Sequence, residues 1–225
     1  MDRRNASGTV QSPEDHGDES VAPRPVSPFL RFGDADMIDL ISDYPLAWLC
    51  PVGSGDATLP SLLPLLPEVD GDGRLVGLIG HMAKRNPLHG ALSRDPAVLV
   101  LFTGPQAYVS PGLVADPAWA PTWNYAQLRI KGTIAFKPEG GHAALAMLVE
   151  AMDRAEATGW TAAQMGDRYP AMEQAIIAFH IAVTAIEGKF KLGQDESPER
   201  LGEILAGHPD PALVRWMKRF NPGRF

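Results

Sequence analysis

Between residues 46 and 103 the chain alternates short apolar runs with dense turn punctuation, and this spacing favours antiparallel pairing. The runs are 46–52, 62–66, 74–79 and 97–103. Gly53-Ser54-Gly55-Asp56 and Asp70-Gly71-Asp72-Gly73 supply the residues that enter tight hairpin turns. A parallel crossover needs a dozen or more residues, so strands this close pair antiparallel. The clearest strand is 125–137, where Leu128, Ile130, Ile134 and Phe136 alternate with Gln127, Arg129, Lys131 and Thr133. Gly132 falls on the apolar face, where a bulge or a close approach suits a residue without a side chain. Residues 177–186 read as another strand, with His180 alternating against apolar positions as a structural histidine.

Helices lie between and around these strands. Asp34 is expected to cap a helix carrying Met37, Ile38, Leu40, Ile41 and Tyr44, which Pro45 stops. A second carries Leu145, Leu148, Val149 and Met152 on one side, and residues 198–220 hold one or two more. The fold expected is mainly β with peripheral helices, an α+β barrel. Residues 1–28 contain no aromatic side chain and mix charges with Pro, Ser and Gly, so they are expected as a disordered tail. Residues 29–225 then form a single domain.

Composition removes several classes of function. Asp and Glu number 27 against 20 Lys and Arg, a net charge of −7 that gives no electrostatic footprint for nucleic acid. Cys50 is the only cysteine, which excludes an internal disulfide and a thiolate zinc site and suits a reducing compartment. The longest apolar stretch, 175–186, is too short to span a bilayer, and no apolar signal core opens the chain. A soluble, cytoplasmic protein is expected.

No Gly-x-Ser-x-Gly, Walker loop, Gly-x-Gly-x-x-Gly or His-Glu-x-x-His is present. Three clusters at strand ends remain. Gly80-His81-Met82-Ala83-Lys84-Arg85-Asn86-Pro87, running on to His89, follows a strand and opens a helix. Its free N–H groups with Lys84 and Arg85 suit a phosphate or carboxylate, or simply form a solvated helix start. His81 and His89 share a helical face only if the helix runs through Pro87. Gly104-Pro105-Gln106-Ala107-Tyr108-Val109-Ser110-Pro111 and Ala120-Pro121-Thr122-Trp123-Asn124-Tyr125 read as proline-bounded loops, which either wall a flat ligand or pack as rigid turns. Glu187-Gly188-Lys189-Phe190-Lys191-Leu192-Gly193-Gln194 reads as a charged turn.

In order and spacing these clusters resemble the PaiB-like proteins, described as FMN-binding negative transcriptional regulators with the flavin-reductase-like split barrel. The resemblance spans residues 29 to 196. It implies a homodimer with the cofactor pocket near the subunit interface. It places His81, Lys84, Arg85, Asn86, Trp123, Asn124, Lys189, Lys191 and Gln194 near that pocket. The chain departs from the family pattern at Ser61-Leu62-Leu63-Pro64, which lacks the histidine of Thr-His-Leu-Pro. It departs again at His89, at Gly112-Leu113-Val114 and at Gly193-Gln194-Asp195. In such departures it is similar to the piperazate synthases, a branch that uses heme b to close the N–N bond of piperazic acid from N5-hydroxyornithine in natural-product biosynthesis. That resemblance implies an axial histidine, His81 or else His89, with Lys84 or Arg85 on the heme propionates. It implies Lys189 or Lys191 on the substrate carboxylate, and Tyr108 is the base considered. The alternative reading is an FMN-binding regulator or flavin reductase, and a third is a heme-degrading or heme-storing barrel.

Overall fold

The computed structural model describes residues 26–52, 59–156, 159–166 and 168–225. The expected tail lies almost wholly outside them, as does the 53–56 turn. Helix α1 (Asp34–Asp43) is followed by β1 (Leu46–Pro51), β2 (Ser61–Val69), β3 (Leu75–Ala83), α2 (Pro87–Arg94), β4 (Ala97–Val109) and β5 (Thr122–Lys137). Then come α3 (Gly141–Glu156), α4 (Arg168–Ala175), β6 (Ile176–Lys191), α5 (Pro198–Gly207) and α6 (Pro211–Arg219). Every strand pairs antiparallel, and the order β1-β2-β3-β6-β5-β4 closes into a barrel. Closure leaves no sheet edge, so the helices have only the barrel's ends and outer face to cover.

The period-two pattern puts Leu65, Leu78, Val98, Val100, Phe102, Leu128, Ile130, Phe179 and Ile181 inside, all buried. One end is plugged by α1, α5 and α6 through Leu40, Ile41, Leu201, Ile204, Leu213, Trp216 and Met217. There Phe190 stacks on Phe220 at 4.9 Å between ring centroids. Gly132 sits at a register shift between β5 and β6, where a Cβ would stand 2.5 Å from Ile181 Cγ2 and 2.7 Å from the Ala182 carbonyl.

Four local expectations are corrected. Asp34 is the first residue of α1 rather than its cap: Gly33 occupies the cap, and the Asp36 carboxylate accepts the Gly33 N–H at 2.9 Å. Asp34 instead accepts the Leu75 N–H at 3.0 Å, tying α1 to β3. The stretch 104–109 is strand, not loop, because the register shift between Thr103 and Gln106 absorbs the proline as a bulge. Residues 122–125 likewise begin β5, with Trp123 opposite Tyr108. Glu187 through Lys191 continue β6 against 125–129, since their charges alternate with Gly188 and Phe190 and so stay on the wet face.

Candidate functional site on the outer face of the barrel

Inner positions of β3 are Leu78, Gly80 and Met82, so Gly77, Ile79, His81 and Ala83 face outward. A Cβ on Gly80 would meet Leu65 and Phe179 of the core, whereas one on Gly77 would meet Glu68 and His180. His81 is therefore an outer-face residue on a strand, and His89 belongs to the helix beyond it. The two histidines do not share a helix face.

Burial pushes the His81 imidazole below its ordinary pKa and keeps it neutral. Its Nδ1 is buried without a hydrogen-bond partner among the described residues. His89 is engaged: Nδ1 lies 3.2 Å from the Lys84 carbonyl oxygen, and the ring packs edge-on against Phe136 at 4.7 Å. Asn86 caps α2, accepting the Leu88 N–H at 3.0 Å and donating to Ser61 Oγ at 3.1 Å. Lys84 and Arg85 are exposed, and the Lys84 amide donates to the Ala175 carbonyl at 2.9 Å. These two cations border a cavity of about 410 Å³ with Ala83, Met172, Gln174, Ala175 and Ile176. Ala83, in its lining, lies two residues from His81 on the same face of β3.

The other expected site residues gather elsewhere. Tyr108 and Trp123 project from β4 and β5 with ring centroids 6.1 Å apart and half their surface exposed. Lys189 Nζ lies 5.7 Å over the Tyr125 ring. Lys191 donates to Thr122 Oγ1 and to the Trp123 carbonyl. Gln194 folds back, accepting the Leu192 N–H at 2.7 Å and donating to the Phe190 carbonyl at 2.6 Å. Asn124 is buried, its Nδ2 3.6 Å from Met217 Sδ. His81 pairs with Ala178, and Lys189 stands eleven residues further along β6, roughly 35 Å of strand at about 3.3 Å per residue. One copy of the chain does not bring the two groups together.

Register reveals a pair that sequence reading missed. Glu68 lies opposite Gly77, His180 opposite Ile79, and Ala178 opposite His81. His180 and His81 are thus diagonal neighbours on one face, within about 8 Å. His180 Nε2 is 2.6 Å from Glu68 Oε2. The outward alternation of His180 was legible in the sequence; its carboxylate partner, on a different strand, was not. Among the described residues no three His, Cys, Asp or Glu side chains are grouped to hold a metal ion. A heme asks less of the chain, one axial donor, because the porphyrin supplies the other four. The neutral imidazole of His81 and its flanking cations fit that requirement.

A family model described as "Putative FMN-binding domain" matches residues 28–185. No curated protein sequence matches. Solved structures share the fold. One is a conserved hypothetical protein, Rv2991, from Mycobacterium tuberculosis, with TM-score 0.50, 15% identity, 77% of this chain and 90% of that one covered. The flavocytochrome Anf3 from Azotobacter vinelandii gives 0.51 and 14%, covering 72% of this chain and 69% of its own. A FAD and heme binding protein from Mycobacterium smegmatis gives 0.49 and 20%, with 81% and 94% covered. Among the described residues no helix is long and apolar enough to cross a membrane.

Proposed function

We propose, from the premise that the chain belongs to the FMN-binding domain family, that the outer face of β3 and β6 around His81 binds heme and that the protein is a heme-dependent enzyme. The observation that carries this reading is the His81 imidazole, held neutral by burial and without a hydrogen-bond partner at Nδ1 among the described residues, which leaves the ring free to turn a nitrogen toward iron. A flavin is held through hydrogen bonds and a phosphate; an iron porphyrin takes an axial donor from the chain, and a neutral imidazole is one such donor. His81 is the better axial candidate than His89, whose ring already meets the Lys84 carbonyl and Phe136. Lys84 and Arg85, on the cavity that Ala83 lines, would pair with the propionates.

The reaction proposed is ring closure of N5-hydroxy-L-ornithine to piperazic acid with loss of water. Bound heme would supply a Lewis acid that makes the hydroxylamine oxygen a better leaving group. The chain's own part is to hold the substrate carboxylate and to accept a proton from the α-amine. Lys189 suits the carboxylate better than Lys191, whose ammonium is already committed to Thr122 and Trp123.

A homodimer belongs to this reading. Lys189, Tyr108 and Trp123 lie far along the barrel from His81 of the same copy, so a second copy turned end for end would complete the site. The exposed Leu46, Trp48 and Leu62 give that copy an apolar face to cover. The test is the absorption spectrum of the protein as isolated and after hemin or FMN. A Soret band that shifts with N5-hydroxy-L-ornithine and is lost in His81→Ala supports the proposal. A two-banded flavin spectrum without hemin binding overturns it in favour of the FMN-binding reading, which the family match and the Gly80-to-Pro87 motif favour.

A further inference from the structure

The face that carries His81 holds a second titratable pair, which the cofactor contacts above do not use. We propose that Glu68 and His180 are the proton-accepting pair for an amine ligand on the outer face of β2, β3 and β6. The role of this pair in turnover rests on the cofactor reading above; its geometry does not.

His180 Nε2 and Glu68 Oε2 stand 2.6 Å apart. An ionised Glu68 can only accept, so Nε2 carries the hydrogen, and in the neutral ring Nδ1 is then the nitrogen that can take a proton. A carboxylate on one ring nitrogen thereby fixes the tautomer and supports the imidazolium that forms when the other nitrogen takes a proton. The side chains remain 31% and 42% exposed, so a ligand reaches them without unfolding the barrel. Gly77 lies beneath the pair. A Cβ there would stand 2.4 Å from Glu68 Oε2 and 2.6 Å from His180 Nε2, so the pair occupies the space that any larger residue would fill. Ala182, opposite Gly77, and Ala178, opposite His81, are small, while Ile79 stands directly opposite His180 and α3 packs over the same three strands, so the ligand enters beside that helix. The diagonal step from His180 to His81 then puts base and cofactor donor on one surface.

In the proposed ring closure one N–H bond of the substrate ammonium breaks, the electron pair stays on nitrogen and the proton moves to His180 Nδ1. That lone pair forms the N–N bond as the N–O bond breaks. The departing hydroxide takes a proton from the newly joined nitrogen and leaves as water. The α-nitrogen is oxidised by as much as N5 is reduced, so no external oxidant or reductant enters.

The experiment uses ¹⁵N-histidine-labelled full-length protein, wild type and the variants Glu68→Gln, His180→Gly and Gly77→Ala. The wild-type His180 ring should show the Nε2–H tautomer, and both Glu68→Gln and Gly77→Ala should mix the tautomers. A mixed or Nδ1–H wild-type ring overturns the proposal, whatever cofactor binds. With hemin loaded, His180→Gly should lose turnover of N5-hydroxy-L-ornithine and regain it on addition of free imidazole, which a structural histidine would not show. Turnover at the wild-type rate in His180→Gly or Glu68→Gln overturns the proposal while leaving the heme reading intact. Where wild type takes up no hemin or shows no turnover, the heme reading fails and L-ornithine binding decides. Weakening by about tenfold in Glu68→Gln, the scale of a charge-assisted hydrogen bond, keeps the pair as an amine site, and equal affinity overturns it.

Discussion

At the scale of single residues, the environment of a polar side chain separates groups that build the fold from groups left over for a ligand. Asn86, Asn124 and Gln194 all occupy positions where a cofactor contact was expected. Asn86 caps α2, Gln194 closes the turn after β6, and Asn124 is buried against Met217. His81 differs, since burial has depressed its pKa and no partner among the described residues has taken its Nδ1. That depression has a consequence for stability. Below the ordinary value of 6.5 the unfolded chain protonates this histidine while the folded protein resists. The unfolded state then binds more protons, so stability falls as pH drops through that window and is independent of this group above it. Cofactor-free His81→Asn should lose less of its urea midpoint between about pH 7 and about pH 5 than wild type does. Equal losses in the two proteins would contradict the assignment.

At the scale of elements, close approach and buried carbonyls set the tolerances. Gly132 allows β5 and β6 to shift register, and an added Cβ would stand 2.5 Å from Ile181 Cγ2 and 2.7 Å from the backbone carbonyl of Ala182, which cannot swing away. Gly132→Ala should destabilise the barrel by about 1–3 kcal/mol, read from denaturant unfolding. Gly77→Ala should cost less, because the nearest atoms there are two side-chain tips that can move. The C-terminal end is held by Asn221, fully buried, whose Nδ2 donates to the carbonyls of Leu192 and Met217 at 2.9 and 2.8 Å. Asn221→Ala leaves both carbonyls without that donor, and a loss of about 1–3 kcal/mol is expected by the same measurement. Arg219 adds ion pairs from α6 to Asp36 and Asp39 of α1, partly exposed and individually weak.

At the scale of the whole molecule, one copy of the barrel presents an apolar face, and the proposed homodimer would cover it. Trp48 pairs with Leu62 on β2 and Leu101 on β4, and Trp48, Leu46 and Leu62 all remain about half exposed. An indole at that exposure, among leucines, is the kind of surface that a second copy covers. Trp48→Glu should shift the mass in solution from dimer to monomer by light scattering and weaken hemin binding with it. A dimeric Trp48→Glu would place the interface elsewhere. A monomer that still binds hemin at wild-type strength would show that one copy holds the whole cofactor site.

The alternation along 125–137, the turn at Asp70 and the helices near the C-terminus were legible in the sequence, because each depends on residues within a few positions of one another. So was the barrel with outer helices, since turn spacing limits how strands can pair. Strand lengths were less legible. Glu187 to Lys191 read as a turn by charge, yet they continue β6 because β5 supplies backbone partners. The stretch 104–111 reads as a proline-bounded loop, yet a bulge absorbs Pro105 and β4 runs on to Val109. What only the tertiary structure decided is which polar groups face each other. His180 and Glu68 are separated by 112 positions and meet because β2 and β6 both pair with β3. A local pattern fixes the face on which a side chain stands, but strand register alone determines what stands opposite it.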